Sequence, residues 1–375
     1  MKPAKRFIDT RLNERRSAGN YRRLQTQNNL IDFCSNDYLG FARSAFLKDK
    51  IDGEIKQTGI ISNGSTGSRL LTGNSRYAEE LEQYLASLYD CEAALIFNSG
   101  YDANIGLFSS LAQRGDTIIT DELVHASIID GARLSYANRY IFKHNDPASL
   151  QKKLEHAKGN CYVAIESVYS MDGDTPPIRE ISDLTEKHSA NLIVDEAHAV
   201  GLYGLGLVDK EIKDRVFARV VTFGKALGCH GAVVLGSQLL KDYLVNFARS
   251  FIYTTGPTLH QLASIKVALE LLMHSSAVIE SLKDNITLFK QNLHPAAKNM
   301  LIFSNSAVQC VLCNNNETAK QMAAGLQNAG LDVRAILSPT VPAGGERIRI
   351  CLHSFNTPVE IYLLTNFINN FINAR

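Results

Sequence analysis

The clearest pattern along the chain is a series of short, uninterrupted apolar runs that starts near residue 90. AALIF, DTIIT, CYVAIE, NLIVDEA, RVVTF and GAVVLGS follow one another with helical segments between them. Continuous apolar strands alternating with helices predict a largely parallel sheet covered on both faces. After the segment FARSFIYTTGPTLHQLASIKVALELLMHS a long helical pattern takes over. Beyond it the strands AVQCVLC and RIRICLH alternate with the helices ETAKQMAAGLQNAG and PVEIYLLTNFINNFI. The expected organisation is an N-terminal arm over 1–45, a large α/β domain over 46–260 and a smaller α+β domain over 261–375. No internal repeat or low-complexity linker interrupts it.

Composition narrows the function without naming it. At 375 residues the chain is too long for one small core. Its 45% hydrophobic and 21% charged residues are ordinary for a globular protein, and a net charge of +1 argues against a nucleic-acid or membrane partner. No apolar run approaches bilayer length. The basic N-terminus carries Asp9 and Glu14 and reads as a mature amphipathic arm rather than a targeting peptide, which points to a cytoplasmic protein. Seven cysteines at scattered spacing predict no disulfide framework. The lone C-x-x-C, Cys310 to Cys313, lies in an apolar strand, and no metal is expected.

Polar residues gather where apolar strands end, which is where open parallel sheets place their chemistry. AALIF runs into NSGYDANIGLF, setting Ser99, Gly100 and Tyr101 at a helix N-terminus that could cradle phosphate; a plain turn with Asn98 or Ser99 as N-cap is the simpler alternative. NLIVDEAH ends in Asp195, Glu196 and His198. DEAH also occurs in helicases, but these need a phosphate loop that is missing, and GLYGLG lacks the dinucleotide-binding spacing. CYVAIESVYSMDGD ends in Glu166 and Ser170, and RVVTF runs into Gly224 and Lys225, a lysine among glycines and apolar residues.

Taken in order, NSGY, DELVHAS, ESVYSMDGD, DEAH and TFGKALG resemble the fold-type I pyridoxal-phosphate (PLP) enzymes, and specifically the α-oxoamine synthases. The resemblance extends from SNDYLG at 35–40 through GSTGSRLLTGN at 64–74 to TVPAGGERIRI at 340–350. It implies a PLP-dependent acyltransferase and a homodimer with shared active sites. In that reading Lys225 forms the Schiff base and moves the Cα proton. Asp195 keeps the pyridine nitrogen protonated, His198 and Ser170 meet the ring hydroxyl, and His125 stacks on the ring. Thr222 joins Ser99, Gly100 and Tyr101 at the phosphate, with Thr254 and Thr255 arriving from the other subunit. Arg349 holds the amino acid's carboxylate, while Arg22 and Thr340 match further substrate contacts; Arg23 leaves the register of Arg22 open by one.

Three departures touch loop geometry. GLYGLGLVDK is shorter than the family's usual loop and lacks its terminal arginine; Ala78 stands where a histidine is common; and Cys229-His230 adds bulk after Lys225. Members of the family differ in amino acid (alanine, glycine, serine) and acyl thioester (pimeloyl, acetyl, succinyl, palmitoyl). The compact length, FKHND at 142–146 and SPTVPAGGERIRICL favour L-alanine and a pimeloyl group carried on coenzyme A or acyl carrier protein, in biotin biosynthesis. The alternatives are glycine with acetyl-CoA or, less favoured, a non-catalytic partner subunit.

Overall fold

The structure, a computed structural model, describes residues 2–24, 26 and 29–374. Twelve strands occur among them: β1 (Ile31–Asp32), β2 (Ala93–Phe97), β3 (Thr117–Asp121), β4 (Asn138–Phe142), β5 (Cys161–Glu166), β6 (Asn191–Asp195), β7 (Val216–Thr222), β8 (Ala232–Gly236), β9 (Val308–Leu312), β10 (Leu331–Asp332), β11 (Arg334–Ile336) and β12 (Arg347–Cys351). Seven form the central sheet in the order β2-β8-β7-β6-β5-β3-β4. Only β8 runs against the others, antiparallel to both neighbours. The expected mostly parallel sheet is present.

Why the central strands read as unbroken apolar runs is visible in their packing. Ile118, Tyr162, Ala164 and Ile193 feed a core on one face, while Ile119, Val163, Ile165 and Val194 feed a core on the other. With period two, burial on both faces leaves no polar position. Strand β4, NRYIF, did not figure among the expected strands. It lies at the sheet edge with three of its residues exposed, so it never forms an apolar run.

The register assembles the chemistry. Glu166 and Asp195 are paired neighbours at the ends of β5 and β6, and Asp195 pairs with Val220 of β7. Because β8 returns antiparallel, its first residue Ala232 lies beside Phe97, the last of β2, and beside Thr222, the last of β7. The 223–231 loop that carries Lys225 is thereby held at the same edge, pinned by Phe223 N–H to Gly231 O at 2.9 Å.

The C-terminal part holds the antiparallel sheet β11-β12-β9, and β1 from the N-terminal region pairs in parallel with β10. On β12, Ile348 and Ile350 are fully buried, which turns Arg347 and Arg349 to the opposite side. Helix Pro358–Asn373 starts with a capping box between Thr357 and Glu360. The segment 247–275 forms helices Arg249–Ile252 and Leu259–Met273, separated by the TTGP turn, and the expected helical pattern follows it as Ser276–Asn292. All seven cysteines are free thiols, with Cys310 and Cys313 buried.

Candidate active site

A cavity of about 250 Å³ opens at the shared strand edge, and Ser99, Gly100, Tyr101, His125, Glu166, Asp195, Thr222 and Lys225 all line it. One wall is the N-terminus of helix Gly100–Leu111. Ser99 caps it, its Oγ accepting from Asp102 N–H at 3.1 Å. Gly100 has no room for a side chain, since a Cβ would strike the Thr222 methyl group. The Thr222 hydroxyl, buried beside this turn, has no hydrogen-bond partner. Free helix-end amides and an unpaired hydroxyl together make a receptor for an oxyanion.

At the floor, Asp195 is held from two sides: Oδ1 accepts from Ala197 N–H at 2.9 Å and Oδ2 from Asn104 Nδ2 at 2.8 Å. Asn104 also donates to Ser127 Oγ at 3.0 Å and is almost wholly buried. His125 caps the next helix, Ala126–Leu134; its Nδ1 accepts from Ser127 N–H at 3.2 Å. That bond leaves the ring proton on Nε2, and burial lowers the pKa of the imidazole, so His125 is a neutral ring.

Lys225 is half-buried on the cavity wall. Burial lowers its pKa to about 8 against the attraction of Asp195 and Glu166, while Arg349 adds to the lowering. Glu166 moves the other way, raised to about 8 by burial and by the charge of Asp195. Its Oε2 accepts from Ser170 N–H at 3.2 Å, and Oε1 has no partner. Glu166 is therefore mostly protonated at neutral pH.

Other expected residues lie behind the cavity wall or away from it. His198 is buried with Nδ1 2.7 Å from Tyr38 OH, and burial together with Lys225 and Arg349 depresses its pKa strongly. Arg349 donates from Nε to Ser170 O at 2.8 Å and from Nη2 to Asn36 Oδ1 at 3.1 Å, and Asn36 lines the cavity. Asn98 bridges to Thr254 Oγ1 at 3.2 Å and Thr255 O at 2.8 Å within the same chain. Arg22, Arg23 and Thr340 are exposed and do not line the cavity.

Asn104, Ser127, Asn36 and Tyr38 had no individual role in the sequence reading. Asn36 and Tyr38 belong to the SNDYLG stretch, and Asn104 is four residues after Gly100, one helical turn into the cradle helix. The short GLYGLGLVDK loop is tied down by a buried ion pair. Arg219 of β7 donates to Glu196 and to Leu205 O at 3.1 Å, while Glu196 accepts from Val208 N–H at 2.9 Å. The second acid of DEAH thus anchors the short loop.

The features fit PLP: an oxyanion cradle, a carboxylate at the floor, a neutral ring at one wall and an amine of lowered pKa. The family model for aminotransferase class I and II matches residues 28–361. An 8-amino-7-oxononanoate synthase of Emericella nidulans is 41% identical over 88% of this chain and 86% of its own. Among solved structures, SPT with a PLP internal aldimine aligns with a TM-score of 0.88 at 26% identity, covering 100% of this chain and 99% of that one. The 8-amino-7-oxononanoate synthase of Francisella tularensis aligns at 0.77 and 28% identity, covering 93% and 99%. With the expected fold and cofactor class matched across nearly its whole length, the chain belongs to the class I and II aminotransferase family, among its 8-amino-7-oxononanoate synthases.

Proposed function

We propose that the protein condenses L-alanine with a pimeloyl thioester, on coenzyme A or acyl carrier protein, releasing 8-amino-7-oxononanoate, carbon dioxide and the free thiol. The observation that carries this is Lys225, an amine of depressed pKa facing a cavity that also holds a fixed carboxylate and an oxyanion cradle. Bound PLP supplies an electron sink for the carbanion at Cα. Lys225 would hold the cofactor through its aldehyde and, once freed, would be the base that takes the Cα proton and returns it. Asp195, fixed by Asn104 and Ala197, would hold a proton on the ring nitrogen. His125 would cover the ring, and His198 and Ser170, which lie behind the cavity wall, are the residues assigned to its hydroxyl. Ser170, Asn36 and Cys351 hold part of the Arg349 guanidinium, which is assigned to the substrate carboxylate.

Exposed apolar surface supports the reading. Ile61 and Leu71 are 103% and 82% exposed in the single chain, and Ile60, Leu70 and Tyr253 are exposed nearby in sequence or beside the TTGP turn. Apolar surface of that kind is expected to be covered by a second copy, which brings Thr254 and Thr255 to the partner's phosphate. Arg22, or Arg23 one residue on, and Thr340 belong to the same proposal as substrate contacts. The division at residues 45 and 260 and a cytoplasmic location belong to the same proposal; among the described residues no single helix is long and apolar enough to cross a membrane.

Alanine, glycine and serine should be crossed with pimeloyl, acetyl, succinyl and palmitoyl thioesters, following thiol and carbon dioxide release and weighing the products. Fastest turnover of alanine with a pimeloyl thioester is expected. Faster turnover of glycine with acetyl-CoA would assign a different member of the family, and amino transfer without thiol release would overturn the reaction.

A further inference from the structure

Outside the cavity, five charged side chains close into one network. His144 lies between two carboxylates, with Nδ1 2.9 Å from Asp121 Oδ1 and Nε2 2.7 Å from Asp174 Oδ2. Burial alone would lower its pKa, but the two acids raise it to about 10, so the ring is a doubly donating imidazolium. Asn145 reinforces both ends, its N–H donating to Asp121 Oδ2 at 2.9 Å and its Nδ2 to Asp174 Oδ2 at 2.6 Å. The edge of the His144 ring arrangement is closed by Tyr169, at 4.5 Å between centroids and 85° between planes. Asp172, two residues before Asp174, is paired with Arg347. Each acid already has a cationic partner, so the cluster is a closed ion network.

What the network grips is the segment 170–174, which connects it to the active site. Asp121 and His144 belong to the ends of β3 and the connection after β4, hence to the central sheet. Arg347 and Arg349 project from the same side of β12. Between them, the segment offers Asp174 to His144, Asp172 to Arg347 and the Ser170 carbonyl to Arg349 Nε at 2.8 Å. Gly173 sits at φ +77° with no space for a side chain, because a Cβ would collide with Val308 O; Ser304 Oγ donates to its carbonyl at 2.8 Å. The segment is thus held from both sheets at once.

We infer that His144 is a positioning residue for substrate carboxylate binding: by clasping Asp174 to Asp121 it fixes the 170–174 segment, whose Ser170 carbonyl aims the Arg349 guanidinium. This rests on the proposed role of Arg349. The geometry offers a direct reason: a planar guanidinium recognises a carboxylate only in a narrow orientation, so a loosened acceptor on Nε costs alignment before it costs charge. It also gives the FKHND stretch a role independent of acyl-chain choice.

The test compares His144→Gln and Asp174→Asn with the wild-type holoenzyme. The KM for the amino acid should rise about ten-fold in each, with the KM for the thioester and the cofactor absorbance unchanged. Binding of the amino acid without thioester, followed through the cofactor spectrum, should weaken by the same factor. Thermal melting and circular dichroism separate this from general loss of structure, and Asp174→Asn, isosteric at the acid, serves if His144→Gln folds poorly. Equal loss across both substrates, or an unchanged amino-acid KM in both variants, overturns the inference. If the wild type shows no turnover with any α-amino acid, the proposed function fails instead.

Discussion

The lowered pKa of Lys225 can be measured directly. In cofactor-free protein the rate of imine formation with added PLP follows the fraction of neutral amine. At pH 7 an amine at the ordinary 10.5 is neutral in about one molecule in 3,000, whereas at about 8 it is neutral in about one in eleven, an advantage of about 300-fold. The shift is equivalent to about 3 kcal/mol of differential interaction between the two protonation states. Its sign follows from linkage. The unfolded chain binds more protons between pH 8 and 10.5, so this lysine's penalty on stability is fully present below pH 8 and disappears as pH rises through 10.5. Stopped-flow mixing from pH 6.5 to 10, read as appearance of the imine band, should give a rate that levels off with a midpoint near 8. Asp195→Asn removes a charge that favours the ammonium form and should move the midpoint to lower pH. A wild-type midpoint at or above 10, or an upward move in Asp195→Asn, would refute the reasoning.

Other consequences are as concrete. Glu166 is largely protonated below pH 8, so Glu166→Gln should keep turnover at pH 7 within about three-fold of wild type and flatten the pH profile above 8; loss of more than about 100-fold at pH 7 would mean its charge is used. Gly100→Ala drives a methyl into Thr222 and should weaken PLP binding far more than binding of pyridoxal, which lacks the phosphate; equal weakening of the two by fluorescence titration would remove the cradle assignment. Glu196→Ala strands Arg219 and two backbone N–H groups in a buried site, and should lower stability by about 3–5 kcal/mol in urea unfolding, while Glu211→Ala, an exposed partner of Arg179, should change it by less than about 1.

The parts of the site that could be read from the chain are those whose logic is local. Lys225 sits three residues after the end of β7, Asp195 ends β6, and the cradle follows β2 within three residues, so strand pattern and polar punctuation occur together. Asn104 is different: it is one of several polar residues in its helix, beside Asp102, Ser109 and Ser110, and only the fold brings it to Asp195, 91 residues away. Tyr38 and His198 meet across 160 residues, and Arg349 and Ser170 across 179. Strand β4 escaped notice for a related reason, since an exposed edge does not require an apolar run.

The apolar runs by themselves determined that the core would be a sheet buried on both faces, because a strand covered on both sides has no position left for a polar residue. They also determined which strand ends carry chemistry, because ionisable groups beside such runs need partners. They could not determine that β8 alone reverses direction, since burial on two faces looks the same from either end. That reversal is what returns the 223–231 loop to the edge where Asp195 and the cradle lie. The small sheet contributes likewise: alternation in RIRIC turns Arg347 and Arg349 to one side, but only packing against the 170–174 segment gives the two arginines separate tasks. Local pattern is encoded by near neighbours; orientation between elements is decided by contacts that exist only once the chain has closed.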